Sequence, residues 1–332
     1  MNPSEIQQLF DRFNHLTALV IGDVMIDSYY FGSVDRISPE APVPVVQVKR
    51  TEKRLGGAAN VALNVQSLGA NAIICSVIGD DNNGDIFRSE LKSKGFSTEG
   101  IIDSPSRITT VKTRVISAGH HMLRVDEEIT APLSPTDERN LLGCIEVAIE
   151  KRKPDVIIFE DYNKGVLTLQ IIERVIAMAN KRGIPTTVDP KKENFFAYKN
   201  CTLFKPNLKE LREGLNVDFP KSNFEMLRQS IDKMESKLQN KITLVTLSEQ
   251  GVVVKAGNEF AHDKAHEREI LDVSGAGDTV ISVASLALAC GVNSLEMAKL
   301  SNLAGGLVCE NVGVVPVDKN RLFHEALNHI SI

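Results

Sequence analysis

The sequence is poor in the features that mark whole classes of protein. Its cysteines, Cys75, Cys144, Cys201, Cys290 and Cys309, are scattered over 332 residues with no CxxC or HExxH spacing, which argues against a disulfide framework or a protein-ligated zinc site. Several lie in apolar runs where a small buried hydrophobe would serve, as suits a reducing cytoplasm. His120 and His121 are neighbours and would point to opposite faces of a strand. Basic tails, charge blocks and aromatic-basic interleaving are missing, so nucleic acid is not expected as a partner. No uncharged apolar run approaches membrane-spanning length. The opening MNPSEIQQLFDRFNHL lacks the basic start and apolar core of a signal peptide. Instead Ile6, Leu9, Phe10, Phe13 and Leu16 fall at helical spacing, predicting a helix packed on the domain. A soluble, cytoplasmic protein without a membrane partner is expected. Two nucleotide fingerprints are also missing: no GxxxxGK[ST] occurs, and Gly22 after the first strand is followed directly by Asp23 rather than by a GxGxxG run. A dinucleotide oxidoreductase is therefore remote.

What is present is ordinary in composition, with 42% hydrophobic and 24% charged residues and a formal net charge of -5. A chain of this length can bury a large core. Short β-branched runs alternate with amphipathic stretches: TALVIGD, AANVALNVQSLG, AIICSVIG, DIFRSELKSKG, then PDVIIFED, LTLQIIERVIAMANKRG and KITLVTLS. This alternation predicts an α/β fold with a mostly parallel sheet covered by helices on both faces. No repeat or Pro/Ser-rich linker divides the chain, so a single domain over residues 1–332 is expected. Two segments break the pattern. PVPVVQVKR (Pro42–Arg50) alternates like an edge strand, and Arg107–Glu128 reads as two strands around a turn at Ala118-Gly119. Together they predict a small antiparallel flap, with lid segments at about 29–50 and 107–126, either covering a site at the strands' carboxyl ends or decorating an edge.

Five stretches carry candidate chemistry. In VIGDVMID, Asp23 and Asp27 follow a strand end, where carboxylates either accept hydrogen bonds from sugar hydroxyls or cap the next turn. In LGGAANVALNVQSLG, Gly56 and Gly57 precede a helix bearing Asn60, allowing close backbone approach to a ligand or simply close helix packing. In FEDYNKGVLT, Lys164 beside Gly165 can meet a phosphate or remain a solvated loop lysine. In KPNLKEL, Asn207 and Glu210 share a helix face, fit to hold Mg²⁺ through water or to form a capping box. The fifth is DVSGAGDTV, Asp272–Val280, before an apolar run. Gly275, Ala276 and Gly277 can present consecutive amides at a helix's positive end, forming an anion hole, with Asp278 just inside it. An acid aimed at an anion nest is tolerated where chemistry needs both. Phosphoryl transfer does, with amides stabilising charge on the transferred group and the carboxylate taking the hydroxyl proton.

GGAAN and DVSGAGDTV, in that order and separation, resemble the two signatures of the PfkB/ribokinase family of carbohydrate kinases, and the resemblance covers nearly the whole chain. Within that family, GDVMIDSYYFGSVDRISPEAPVPVVQV, LGGAANVALNVQSLGANA, EDYNKG and SEQG are similar to kinases that phosphorylate D-glycero-β-D-manno-heptose 7-phosphate at its anomeric oxygen. ISPEAPVPV (Ile37–Val45) is the most specific of these. The resemblance implies a ribokinase-like three-layer α/β/α fold, a lid that often forms a homodimer contact, ATP and Mg²⁺, and use of K⁺ in many members. It implies Asp278 as catalytic base, Gly275, Ala276 and Gly277 as anion hole, and Asp27, Gly56, Gly57 and Asn60 at the sugar. Lys164, and further Arg124, Lys191 and Lys192, are expected to meet the sugar phosphate. Asn207 and Glu210 match the pair associated with Mg²⁺ and phosphate; Thr246, Ser248, Gly251 and Asn302 match nucleotide contacts; Asp272 and Ser274 match a monovalent-cation position.

The sequence departs from the family at Ser274, Val280 and Glu160. The first two are conservative. Glu160 is an extra acid before DYNKG, expected near Lys164, where it would weaken that lysine's attraction for a phosphate. Related bifunctional proteins continue into a nucleotidyltransferase domain; no HxGH-like motif precedes Ile332, so only the kinase step, supplying heptose for lipopolysaccharide core, is expected. Another PfkB sugar kinase and an inactive sugar- or nucleotide-binding regulator are the alternatives.

Overall fold

The computed structural model describes residues 1–330; residues 331 and 332, where the expected domain ends, lie outside the described residues. Helix α1 (Pro3–Phe13) starts on a capping box in which Asn2 and Glu5 satisfy each other's backbone amides, and it buries Ile6, Leu9, Phe10 and Phe13 as its spacing predicts. Strand β1 (Thr17–Gly22) leads into β2 (Val24–Ile37) and β3 (Pro44–Gly57), followed by α2 (Ala58–Ser67), β4 (Asn71–Gly79), α3 (Asn82–Ser93) and β5 (Ile101–Ser104). Next come β6 (Val111–Ser117), β7 (His120–Glu127), α4 (Pro135–Arg152), β8 (Val156–Glu160), α5 (Leu169–Arg182), β9 (Thr186–Asp189) and β10 (Leu203–Phe204). The remainder is α6 (Leu208–Leu215), α7 (Phe224–Leu238), β11 (Ile242–Thr246), β12 (Val252–Ala256), β13 (Glu259–Asp263), α8 (Ala276–Ala289), α9 (Ser294–Val308) and α10 (Lys319–His329).

Among the described residues one sheet runs β13-β12-β11-β10-β9-β8-β1-β4-β5, parallel from β11 to β5 and antiparallel through β12 and β13. Alternate residues on the central strands feed two cores. Ala18, Val20, Val156 and Ile158 pack with α1, α2, α8 and α9 on one face, while Leu19, Ile21, Ile157 and Phe159 pack with α4, α5, α6 and α7 on the other. That division explains why β8 reads as an unbroken apolar run: both its faces are covered. Helix α8 is small-residue rich and buried almost all round, because it lies between α2 and α9.

The second sheet, ordered β3-β2-β6-β7, is the expected lid, with two corrections. It is mixed rather than antiparallel, since β2 and β6 pair in parallel. The chain passes through β3, α2, β4, α3 and β5 before returning as β6, so the two strands enter the lid in the same direction. It also reaches deeper than the expected 29–50: β2 and β3 stay paired down to Val24 and Gly57, where Ile26 and Leu55 are buried in the body. That extension puts Asp27 and Gly56 on the lid strands themselves.

Candidate active site

The parallel strands end on one side of the sheet, where an open α/β fold gathers its ligands. Gly22 closes β1, Glu160 closes β8, Asp189 closes β9, Lys205 follows β10, and Thr246 closes β11 beside Asn207. Helix α8 points its N-terminus at this line, with Asp278 in its first turn.

Asp278 is 4% exposed. Its carboxylate accepts from Asn60 Nδ2 at 2.7 Å and from Tyr162 Oη at 2.8 Å. Burial above all pushes this carboxyl up to about 6, the two donors pull it down, nearby Asp189 raises it and Lys205 lowers it. A base with such a value is ionised at neutral pH yet far stronger than an ordinary carboxylate. Gly275, at φ +79, is the helix N-cap, and a side chain there would meet Asn60 Nδ2 at 3.0 Å. Of the three amides expected in the anion hole, that of Ala276 is turned into a bond with the Val273 carbonyl at 3.3 Å. That bond takes up the amide between Gly275 and Gly277, because the turn at Val273 uses it.

The two acids of VIGDVMID divide the work. Asp23 accepts from the amides of Tyr162, Lys164 and Val166 at 2.8–3.1 Å and so fixes the loop after β8. Burial, then the charge of Asp161, pushes its carboxyl up to about 6 despite those amides. Asp27 lies on β2, buried, ion-paired with Arg114 of β6. Gly56 faces it so closely that a Cβ would sit 2.1 Å from Asp27 Oδ2; Gly57 turns into α2 at φ +60. Asp27, Gly56, Gly57, Asn60 and Asp278 are thus gathered around one place.

Glu160 is not near Lys164 in the way expected. Successive residues of a strand end part company, and Glu160 joins Asp189 and Asp278, with one oxygen of each within 4.8 Å of the others. Glu160 is 1% exposed and neither of its oxygens has a hydrogen-bond partner. Burial and then Asp189 and Asp278 push its carboxyl well above the usual range. Lys205 Nζ, equally buried, pairs with Asp189 at 2.7 Å. Lys164 instead pairs with Glu128 at 2.8 Å.

Past β10, Asn207 and Glu210, expected near Mg²⁺ and phosphate, form the capping box of α6, each engaging the other's backbone amide at 2.8 Å. Lys191, expected at the sugar phosphate, bonds Glu210 and lies 5.3 Å from the Tyr162 ring centroid. Although burial disfavours its charge, Asp189 and Glu210 hold its pKa above the usual lysine range. Thr246 donates its amide to Pro206 O at 3.2 Å, and Ser248 and Gly251 shape the turn that follows at φ +55 and +85. Asn302 Nδ2 is engaged by Asp263 and the Lys264 carbonyl. Asp272 accepts from the Ser274 amide and hydroxyl and from the Gly313 amide. Lys192 is exposed, and Arg124, 60% exposed, pairs with Asp126 on β7.

Four residues of the site had no role in the sequence reading: Tyr162, Asp189, Lys205 and Arg114. Each is a polar residue at or just past an apolar strand, or on an alternating one, and carries no local pattern. For Asp189 and Lys205 the one signal available was position, a charge placed directly after TTV and LF.

A family model described as pfkB family carbohydrate kinase matches residues 16–320. The Bifunctional protein HldE of Geotalea uraniireducens (strain Rf4) is 39% identical over 326 residues, 98% of this chain and 66% of its own length. That of Helicobacter pylori (strain J99 / ATCC 700824) is 39% identical over 295 residues, 89% of this chain and 63% of its own length. The chain thus spans somewhat less than two thirds of these relatives. Among solved structures, phosphofructokinase-2 from Escherichia coli in complex with potassium superposes with a TM-score of 0.76 at 20% identity, covering 93% of this chain and 98% of its own. Arabidopsis thaliana ribokinase complexed with ribose and ATP gives 0.70 at 18% identity, with the same coverage. At these identities the likeness establishes the fold, which is ribokinase-like.

Proposed function

The chain belongs to the pfkB family of carbohydrate kinases, and from that premise we propose that it transfers the γ-phosphoryl of ATP to the anomeric hydroxyl of D-glycero-β-D-manno-heptose 7-phosphate. The product is the 1,7-bisphosphate, a precursor for ADP-heptose and lipopolysaccharide core. One observation carries the chemistry: a buried carboxylate, Asp278, held by Asn60 and Tyr162 in the first turn of a helix whose glycine-bordered N-terminus faces it. The choice of sugar rests on ISPEAPVPV and its companion stretches and on the HldE relatives.

In the reaction the anomeric oxygen forms a bond to the γ-phosphorus as the bond from that phosphorus to the ADP oxygen breaks. The proton released from the hydroxyl goes to Asp278. The Gly275 and Gly277 amides, at the positive end of α8, face the charge on the moving phosphoryl group. Asp27, Gly56 and Asn60 orient the sugar. The donors fit Mg²⁺, which Glu160 and Asp189 would hold through their oxygens, the former with two unpartnered buried oxygens. Bound there, the ion would supply charge neutralisation to the phosphates. Glu210, both of whose oxygens already accept N–H donors, would act on it through water. A K⁺ beside Asp272 and Ser274 fits that pair of oxygen donors.

We read residues 1–332 as one kinase domain in the cytoplasm, dimeric through the lid. The lid face opposite Asp27 exposes Tyr30, Val48, Leu123 and Val125, an apolar surface suited to a second copy. A coupled ADP-release assay comparing heptose 7-phosphate with ribose and fructose 6-phosphate tests the substrate. The highest kcat/KM is expected for the heptose phosphate; a higher value for either competitor overturns the choice.

A further inference from the structure

The proposed substrate carries a phosphate ester at the end remote from the reacting hydroxyl, and its seat is not among the groups that surround Asp278. The lid register places the candidates. Lys112 stands opposite Asp27 in the β2–β6 pair, and Asp126 stands opposite Lys112 in the β6–β7 pair. Directly paired residues share a face of the sheet, so Lys112 looks out beside Asp27, one strand further from the body, about 5 Å away at the backbone. Arg114 is on the same face but is spent on Asp27.

Lys112 does not stand alone. Its Nζ lies 3.1 Å from Glu128 and 3.1 Å from Asp126, and Lys164 Nζ approaches the same Glu128 at 2.8 Å. One ammonium group comes from the lid strand β6 and the other from the loop after β8, their side chains are only 13% and 14% exposed, and a single carboxylate bridges them. Lys164 is held there from both sides of its backbone: its amide donates to Asp23 at 3.1 Å and its carbonyl accepts from Arg107. The same Arg107 binds the Ala131 and Ile129 carbonyls, just past Glu128. Hence Lys164 is fixed by the loop that carries Tyr162 and Lys112 by the β6 ladder, while Glu128 lies beyond the end of β7 on connecting chain.

Resting on the heptose 7-phosphate reading, we propose that Lys112 and Lys164 form the socket for the substrate's distal phosphate, and that Glu128 is the counterion this phosphate displaces. A phosphate dianion has the charge and the several oxygens to satisfy two converging ammonium groups better than one carboxylate does. Glu128 keeps the lysines paired while the socket is empty, which avoids leaving two largely buried cations unmatched. Arg124 is an outer contact, as its exposure and its pairing with Asp126 leave it at the rim. The socket selects sugars with a phosphate at that distance from the anomeric carbon.

The test is steady-state kinetics on the full chain with heptose 7-phosphate, using wild type, Lys112→Gln and Glu128→Gln. Losing one charged phosphate contact raises KM for the sugar phosphate on the order of ten- to a hundredfold in Lys112→Gln, with KM for ATP unchanged. Glu128→Gln lowers the same KM several-fold, because a competing anion has gone. A bridge that merely braces the lid behaves otherwise, and both variants would then raise KM together; that result overturns the socket. An unchanged KM in Lys112→Gln with normal wild-type activity overturns it too, while leaving the substrate assignment standing. Wild type inert on heptose 7-phosphate but active on an unphosphorylated sugar overturns the substrate assignment and the socket with it.

Discussion

Replacing Asp278 by Asn separates what this residue does for catalysis from what it costs the fold. In the folded protein the carboxyl titrates at about 6, against 3.8 in its ordinary state, and burial is the main cause. Between those two values the folded chain holds a proton that the unfolded chain has released, so stability falls as pH rises from below 4 to above 6. Above that window the penalty is complete, and a shift of this size corresponds to about 3 kcal/mol. An Asn is neutral throughout. Its Oδ1 can accept from Asn60, and the Tyr162 hydroxyl can rotate to accept from its Nδ2, so both partners stay matched. Asp278→Asn is therefore expected to be more stable than wild type at pH 7 by roughly 1–3 kcal/mol, with the gain vanishing near pH 4. Turnover should fall by about two to four orders of magnitude, the usual worth of a general base. Urea midpoints at pH 7 and pH 4.5, alongside ADP release, measure both. A variant less stable than wild type at pH 7, or equally shifted at both pH values, refutes the burial account; near-normal turnover refutes the base.

Two further substitutions probe the same neighbourhood. Gly56→Ala places a methyl 2.1 Å from Asp27 Oδ2, so Asp27 must move; KM for the sugar should rise at least about tenfold, as for loss of a charged hydrogen bond, with KM for ATP and the circular dichroism spectrum unchanged. Tyr162→Phe removes a donor that lowers the Asp278 pKa. Its acid limb in kcat/KM should move upward from near pH 6, making the loss larger at pH 6 than at pH 8. A limb that stays in place would show that the hydroxyl does not tune the carboxylate.

The layers of the fold were legible because periodicity is local. TALVIG, VIIFE and ITLVT announce buried strands, and the spacing of Ile6, Leu9, Phe10 and Phe13 announces the side of α1 that is covered. The lid was legible as strands and misread as to pairing. Which strand β6 would join, and in which direction, depends on where the chain goes between Gly57 and Val111, and nothing within the strand records it. The site follows the same division. Asn60 and Asp278 sit in glycine-marked motifs whose backbone demands show in the sequence. Asp189, Lys205 and Arg114 are single charges whose meaning arises only when the partner, itself distant in the chain, is brought opposite. Lys191 and Lys192 show the hazard in reading a lysine by rank: adjacent in sequence, one reaches Glu210 and the other is exposed.

These partnerships explain how a site proposed to receive two phosphate-bearing substrates holds together when empty. Lys205 is matched with Asp189, Lys191 with Glu210, and Lys112 and Lys164 with Glu128. Each cation that a phosphate would need is already paired, mostly with an acid from another element. Unmatched, these partly or fully buried ammonium groups would repel one another and carry a desolvation cost with nothing against it. Paired, they make binding an exchange of one anion for another, so affinity depends on how much better the phosphate fits than the resident carboxylate. Asp278 stands outside that scheme, since its partners are the neutral Asn60 and Tyr162. Two neutral donors orient the carboxylate and leave it able to take a proton, whereas an ammonium in contact would have stabilised the anion and weakened the base.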